Sequence, residues 1–338
     1  MATPLSSLIA ASRISAVEMA LLQTFGKTEV DEITLLRGGL SGSAVFKMVI
    51  DDQPYLLKLS EPSTTITAPP PLYLQLVGKA GIAPPLHYLD AATGVSISAF
   101  IESTPIFSLP PDKIISELAV TIKAVHQVTV DGMALGLLKL VDGVVQWLEQ
   151  SNLFAQNIWD EFMCYYGIIK NKYPWQDTEK VLSHNDLNPS NILWDGKKVW
   201  IIDWDVASLN DPYVDLAIAA NFFVHRQADE KLLLDVYFGK AASPLQIARF
   251  NIMRQVCRII FAKEMLQRAV QSKPAVFLHQ VDVEGSSLKE VGTQLRTGKL
   301  SLQTYEGQFM YGKALFNEAL QQMRSPQFAQ YLTICVAS

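Results

Sequence analysis

The sequence predicts an α+β protein with two lobes, an N-terminal lobe built on an antiparallel sheet and a mainly helical C-terminal lobe. In the first third of the chain, short apolar runs alternate with turn residues, which is typical of strands. Further along, apolar residues recur at helical spacing, as they do over 112–126 and 229–238. The polar, proline-containing stretch 102–111 separates the two patterns. We therefore predict lobes at 1–104 and 105–338.

Five strands are predicted in the first lobe, at 33–36, 44–50, 55–59, 86–90 and 95–101. A helix is expected near 71–79, between the third and fourth strands. In the second lobe, Asp112 is expected to cap a helix that ends at His126. His126 itself is expected to be a structural histidine with satisfied hydrogen bonds.

A glycine-rich turn joins the first two strands. Gly38, Gly39 and Ser41 lie in it, within the run RGGLSGS. Glycines let a backbone approach phosphate groups and leave its amides free to donate hydrogen bonds. A glycine-rich turn between two strands is more often only a turn, so this pattern alone is weak evidence for a nucleotide clamp.

Lys58 stands in the otherwise apolar third strand. Burying an unpaired ammonium is costly, so this side chain needs an anionic partner. The phosphates of a nucleotide would supply one. The alternatives are a lysine on the exposed face of an edge strand, or Lys47 on the second strand in the same role.

The segment 183–203, SHNDLNPSNILWDGKKVWIID, carries the clearest chemical pattern. His184, Asp186 and Asn191 have the spacing H-x-D-x-x-x-x-N of the protein-kinase catalytic loop. An Asp-Gly pair between two apolar runs then predicts a hairpin. Pairing of its strands would bring Asn191 close to Asp203.

These residues suit phosphoryl transfer from a magnesium–nucleotide complex. A hydroxyl that attacks a γ-phosphate must lose its proton, and Asp186 is placed to accept it. The side-chain oxygens of Asn191 and Asp203 suit Mg²⁺, which takes one or two carboxylates plus substrate phosphates. His184 is expected to brace the loop. A lone H-x-D or a lone Asp-Gly hairpin would mean little, but their combination is much rarer.

Beyond Asp203 the chain continues as WDVASLNDPYVDLA. Together with the preceding motif, this resembles the aminoglycoside phosphotransferase and choline/ethanolamine kinase superfamily, in which H-x-D-x-x-x-x-N precedes I-D-W/F-x-x-A and D-P-x-x-D-L-A. The resemblance implies a protein-kinase-like fold and an ATP- and Mg²⁺-dependent phosphotransferase with an alcohol group as acceptor. The superfamily loop Gly-Gly-x-(Ser/Thr) is also similar to the turn at Gly38.

The resemblance assigns two further roles. The last strand of the first lobe would run into the hinge between the lobes, where adenine would contact the backbone near Ser98 and Phe100. Asp215 would fix the catalytic loop from beneath, although a helix N-cap is an equally good local account of this residue.

One feature departs from the pattern. A kinase lysine is normally paired with a glutamate on the following helix, yet residues 71–79 contain no acidic side chain. The nearest glutamate is Glu61. Either Glu61 substitutes, or phosphate alone holds Lys58, or the partner lies elsewhere.

Composition limits the partners. The 338 residues carry a net charge of −5, which argues against nucleic acid. No apolar run reaches the roughly 18 residues that span a bilayer, so membrane insertion is not expected. Arg13 and Glu18 interrupt the apolar stretch at the N-terminus, which argues against a signal peptide. Three dispersed cysteines suggest free thiols and a cytoplasmic location.

The acceptor is the least determined part. A small cationic amino alcohol such as choline or ethanolamine is the leading expectation, with Asp205 and Trp204 as the nearest candidates for holding its ammonium group. Further aromatic candidates, each more often a core residue, are Trp159, Tyr165, Tyr166, Tyr305, Phe309 and Tyr311. Aminoglycosides would favour an acidic wall, whereas residues 285–338 contain three acidic and five basic side chains. Thiamine kinase and a non-catalytic nucleotide-binding regulator remain alternatives.

Overall fold

A computed structural model describes most of the chain, namely residues 4–36, 43–62, 70–132, 134, 136–176, 179–272 and 287–336. The glycine-rich turn with Gly38, Gly39 and Ser41 lies outside the described residues, so its role as a nucleotide clamp stays a prediction.

The first lobe contains the predicted antiparallel sheet. Its strands are β1 (Glu32–Leu36), β2 (Ala44–Ile50), β3 (Gln53–Leu59), β4 (Leu86–Asp90) and β5 (Val95–Ala99). They lie in the order β1-β2-β3-β5-β4. The five strands are confirmed, although β5 ends two residues earlier than predicted. Asp51 and Asp52 connect β2 to β3 with φ angles of 51° and 61°, the left-handed geometry of a tight hairpin turn.

A helix before the sheet covers one of its faces. This helix, α1 (Ala11–Phe25), buries Val17, Ala20 and Leu21 against the apolar face of the strands. Its Arg13 donates hydrogen bonds to the carbonyls of Ser60 at 3.0 Å and Thr93 at 2.7 Å. The arginine therefore joins the end of β3 to the β4–β5 turn, which stabilises the end of the sheet that carries Lys58.

The remaining helices are α2 (Pro70–Lys79), α3 (Pro111–His126), α4 (Leu137–Ser151), α5 (Gln156–Lys172), α6 (Pro212–Phe223), α7 (Gln227–Phe238), α8 (Pro244–Ser272), α9 (Leu288–Arg296), α10 (Tyr305–Met323) and α11 (Pro326–Val336). Asp112 is not the cap of α3. The N-cap residue is Pro110, without a side-chain hydrogen bond, and Asp112 lies in the first turn. At this position its negative charge still interacts favourably with the positive end of the helix dipole. Among the described residues, no helix is long and apolar enough to cross a membrane.

Two small antiparallel ribbons lie in the helical lobe. One pairs β6 (Val181–Ser183) with β9 (Ser208–Asn210), and the other pairs β7 (Ile192–Trp194) with β8 (Val199–Ile201). The second ribbon is the hairpin expected from the Asp-Gly pair. Gly196 adopts a φ of 92° at its turn, where a side chain would be strained.

Helix α2 belongs to the first lobe by sequence but packs with the second. Tyr73 and Val77 are fully buried in the large apolar core of the helical lobe, as is Ala83 after the helix. The sheet and α1 form a separate, smaller core. The helix that follows β3 is therefore anchored to the lobe opposite Lys58.

Candidate active site

The catalytic loop begins where β6 ends, and His184 supports it from inside. His184 is fully buried and its ring packs edge-on against Trp204, with centroids 4.7 Å apart. The Asp186 N–H donates to Nδ1 of His184 at 3.2 Å, so Nε2 carries the proton that is donated to the Ile202 carbonyl at 2.9 Å. Both ring nitrogens of His184 are therefore occupied by backbone contacts.

Asp215 lies directly beneath the loop. Its carboxylate accepts hydrogen bonds from the N–H groups of His184 and Asn185, both at 2.8 Å, and from His126 Nε2 at 3.1 Å. Burial alone would raise the pKa of Asp215, but the contacts with His126 and His184 lower that pKa below its ordinary value. The cap of α6 is Asp211, whose carboxylate accepts from the Tyr213 N–H at 2.9 Å. The geometry therefore favours the role of Asp215 in fixing the catalytic loop from beneath over a role as a helix N-cap.

His126 has the structural environment expected of it. Its Nδ1 lies 2.7 Å from the Tyr237 hydroxyl, while Nε2 faces Asp215. The histidine thus connects α3 and α7 to the carboxylate under the catalytic loop.

Asn185 is a site residue that our sequence reasoning missed. It adopts a left-handed φ of 65°, and its side-chain amide donates to the Val206 carbonyl and to Ser208 Oγ, each at 2.9 Å. The Asn210 amide in turn donates to Asn185 Oδ1 at 2.8 Å. Asparagine tolerates this backbone geometry better than most residues. The sequence feature that could have identified it is its position between two loop residues with assigned roles, His184 and Asp186.

Asp186 and Asn191 lie side by side. The Asn191 amide donates to Asp186 Oδ2 at 3.1 Å and to the Asp186 carbonyl at 2.9 Å, while the Asn188 amide donates to Asp186 Oδ1 at 3.0 Å. The Asp186 carboxylate is therefore oriented through both of its oxygens. Because the nitrogen of the Asn191 side chain is used in these bonds, its oxygen is the atom suited to a metal.

The hairpin brings Asn191 to the start of the segment that carries Asp203. Ile192 pairs with Ile201 in its register, and the Ile202 N–H donates to the Asn191 carbonyl at 3.0 Å. At the far end, the Asp195 carboxylate accepts from the N–H groups of Lys197 and Lys198 at 2.7 and 2.9 Å. Asp203 follows with a left-handed φ of 64°. The expected convergence of Asn191 and Asp203 therefore follows from the hairpin register.

Lys58 reaches from the sheet to this segment of the helical lobe. Its ammonium lies 2.6 Å from Asp203 Oδ1 and 2.7 Å from Asp205 Oδ2. Burial lowers the pKa of Lys58, but the two carboxylates outweigh burial and raise that pKa above its ordinary value. Glu61 does not hold the lysine. Lys47, the competing candidate, pairs instead with Glu102 at 2.7 Å and lies over the Phe100 ring.

The donors present fit Mg²⁺. Asp203 offers carboxylate oxygens and Asn191 offers an amide oxygen, both of them ligands that a hard cation prefers. Across the described part of the chain, no group of three or more acidic, histidine or cysteine side chains forms a ready-made metal site. A nucleotide-associated Mg²⁺ requires no such cage, because phosphates supply part of its coordination.

Ser98 and Phe100 lie where β5 approaches the linker. Ser98 is in register with Leu56 on one side and Leu86 on the other, within the sheet. The Phe100 N–H donates to the Pro54 carbonyl at 3.3 Å. The adenine contact near these two residues stays a prediction.

Several aromatic candidates for the acceptor site are core residues. Trp204 is only 2% exposed, and its indole N–H donates to the Ile201 carbonyl at 3.0 Å. Trp159 and Tyr166 are also buried, and the Tyr166 hydroxyl bonds to Asp142. Our expectation that Trp204 holds an ammonium group is therefore wrong, because Trp204 is packed inside. The same expectation for Asp205, which is paired with Lys58 and 60% exposed, stays a prediction. The aromatic candidates that remain half-buried are Tyr165, Tyr305, Phe309 and Tyr311.

Comparison with known proteins identifies the family. Residues 32–239, from β1 through α7, match the model of the phosphotransferase enzyme family. The chain belongs to this family. Protein LicA of Haemophilus influenzae is 26% identical over 160 residues, which cover 41% of this chain and 54% of that protein. This chain thus spans about half the length of the curated relative it matches.

Two of the solved structures that share the fold of this phosphotransferase-family chain illustrate the range of relatives. A choline/ethanolamine kinase family protein from Mesorhizobium loti has a TM-score of 0.67 and 21% identity, covering 97% of this chain and 98% of that one. A spectinomycin phosphotransferase in complex with ADP and spectinomycin has a TM-score of 0.54 and 15% identity, covering 98% of both chains. The predicted kinase-like architecture is confirmed.

Proposed function

We propose that this protein is an ATP- and Mg²⁺-dependent kinase of a small hydroxyl compound. The observation that carries the proposal is the reach of Lys58 from the sheet to Asp203, next to the catalytic loop. A hydrogen-bonded chain connects the same place to Asp186 through Asn191. Phosphate, metal and acceptor groups would thus meet at one end of the cleft.

In the proposed reaction, Asp186 accepts the proton of the acceptor hydroxyl. The hydroxyl oxygen forms a bond to the γ-phosphorus, and the bond from that phosphorus to the bridging oxygen of ADP breaks. Lys58 binds the phosphates, and Asn191 and Asp203 are the residues that would hold Mg²⁺. When bound, the metal neutralises charge on the phosphate oxygens.

For the acceptor, we propose an amino alcohol of the choline or ethanolamine kind. The support is the similarity to the Mesorhizobium loti choline/ethanolamine kinase family protein. The excess of basic over acidic side chains in residues 285–338 argues only against the alternative, a polycationic aminoglycoside. Because Trp204 is buried, a cation–π contact would need one of the half-buried aromatic residues. We place the reaction in the cytoplasm, where ATP and free thiols occur together.

The first test is nucleotide binding, measured by thermal shift and calorimetry. A ligand at 100 times its dissociation constant stabilises a protein by about 2.7 kcal/mol. We expect a clear shift with millimolar Mg·ATP. If both methods show no binding, the kinase proposal is wrong.

The second test compares acceptors under identical conditions, with ATP consumption as the readout. Choline, ethanolamine, kanamycin and thiamine would each be supplied at equal concentration. Turnover of choline or ethanolamine would support the amino-alcohol acceptor. Turnover of kanamycin or thiamine alone would reject that acceptor but keep the kinase, whereas ATP binding without turnover of any acceptor would favour a regulator.

A further inference from the structure

Lys58 lacks the partner that kinases usually provide for this lysine. From Pro62 to Leu89 the sequence contains no aspartate or glutamate, and this range includes the whole of α2. Helix α2 therefore cannot supply a carboxylate anywhere along its length. The two carboxylates that hold Lys58 come from the opposite lobe, from Asp203 and Asp205.

The two carboxylates are not equivalent. Asp203 follows the hairpin that carries Asn191, so under the proposed function its oxygens are needed by Mg²⁺ when the nucleotide enters. Asp205 lies two residues further on, and its side chain is 60% exposed against 31% for Asp203. If Asp203 turns to the metal, Lys58 keeps one anionic contact among the described residues, the contact with Asp205.

We propose that Asp205 is the positioning residue for Lys58, in place of the helix glutamate that this chain lacks. This inference rests on the proposed function, because it assigns a role within the same nucleotide site. Asp205 acts through Lys58 and holds the ammonium group where it meets the nucleotide phosphates, while Asp203 serves the metal.

The role predicts how binding depends on the ligand. Asp205→Asn removes the charge that orients Lys58, so ligands with phosphates should bind more weakly, by roughly two- to fivefold for one partly exposed ion pair. The loss should be similar for Mg·ATP and for ADP with a metal chelator present, because the lysine contacts phosphate in both. Adenosine binding should not change.

Three variants and a control make the test specific. Asp205→Glu should recover most of the affinity, since it keeps the charge. In a Lys58→Met background, Asp205→Asn should add no further loss, because the residue through which it acts is gone. Asp52→Asn, an exposed change of the same charge in the β2–β3 turn, serves as the control. Melting temperatures without ligand would verify that each variant is folded.

The measurement is calorimetric affinity for Mg·ATP, chelated ADP and adenosine. An Asp205→Asn loss confined to the magnesium complex would overturn the inference and make Asp205 a metal ligand. A loss that persists in the Lys58→Met background, or one no larger than that of Asp52→Asn, would overturn it as well. If the wild-type protein binds neither Mg·ATP nor chelated ADP, the proposed function and this inference both fail. Wild-type binding combined with an unaffected Asp205→Asn variant refutes only the inference.

Discussion

Replacing Asp215 with asparagine should destabilise the protein and distort the catalytic loop. Asp215 is fully buried and accepts three hydrogen bonds, two of them from successive backbone N–H groups. An amide has one oxygen and one nitrogen, so whichever way it turns, its NH₂ group faces an N–H donor. In the orientation that loses least, the partly buried Asn185 N–H faces the NH₂ group and is left without an acceptor.

The size of the effect follows from these contacts. A buried donor without a partner costs about 1–3 kcal/mol, and the two surviving bonds lose their charge assistance, at roughly 0.5–1 kcal/mol each. The sum is about 3 kcal/mol. At roughly 2 °C per kcal/mol for a chain of this size, the melting temperature should fall by about 6 °C.

Asp211→Asn is the matched control. Asp211 is also fully buried at the start of α6, but its partners are the Tyr213 N–H at 2.9 Å and the Tyr173 hydroxyl at 2.8 Å. Asparagine can still cap the helix, and a hydroxyl can accept as well as donate. We expect a loss of about 1 kcal/mol, or about 2 °C. Equal losses in the two variants would refute our account of the brace beneath the loop.

The pH dependence gives an independent check. Because the pKa of folded Asp215 is lowered, its contribution to stability is fully present above the unfolded value near 3.9 and is lost as the pH falls through the lower folded value. The stability difference between wild type and Asp215→Asn should therefore shrink as the pH falls below about 4. A difference that stays constant down to about pH 2 would contradict the assignment.

Three further outcomes are expected. Asp186→Asn should leave Mg·ATP affinity nearly intact while turnover falls by about 10²–10⁴-fold. Asp203→Asn should instead weaken metal-dependent nucleotide binding itself. Equal loss of nucleotide affinity in the two variants, measured by calorimetry, would show that the two roles are misassigned. Gly143→Ala in α4, with open space around the added carbon, should stabilise by about 0.5–1 kcal/mol in urea unfolding. Gly307→Ala should destabilise, because the added carbon would lie 2.0 Å from the Ser301 carbonyl oxygen, and a stability equal to that of Gly143→Ala would contradict this packing.

The fold and the catalytic segment were largely predictable because their signals are local. The Asp-Gly turn fixes the register of β7 and β8, and that register brings Asn191 towards Asp203. The alternation of short apolar runs with turn residues likewise predicted the sheet, and helical spacing of apolar residues predicted α3 and α7. Each of these inferences needed only neighbouring residues.

The features that the sequence did not predict depend on contacts between distant segments. Asp205 is 147 residues from Lys58, and nothing in the sequence of either segment indicates their pairing. The sequence did not show that Trp204 is unavailable to a ligand, because its burial results from packing against His184. The choice between the brace and the N-cap at Asp215 required knowing where α6 begins and which N–H groups lie above it.

The packing of α2 has a consequence for any attempt to divide the chain. Tyr73 and Val77 precede the linker, yet both are fully enclosed in the core of the helical lobe. A break within residues 102–110 would leave the shorter fragment with an uncovered aromatic and aliphatic face and the longer fragment with a matching apolar gap. Separately produced fragments should therefore reassociate through α2, which makes the linker a suitable position for split-protein complementation.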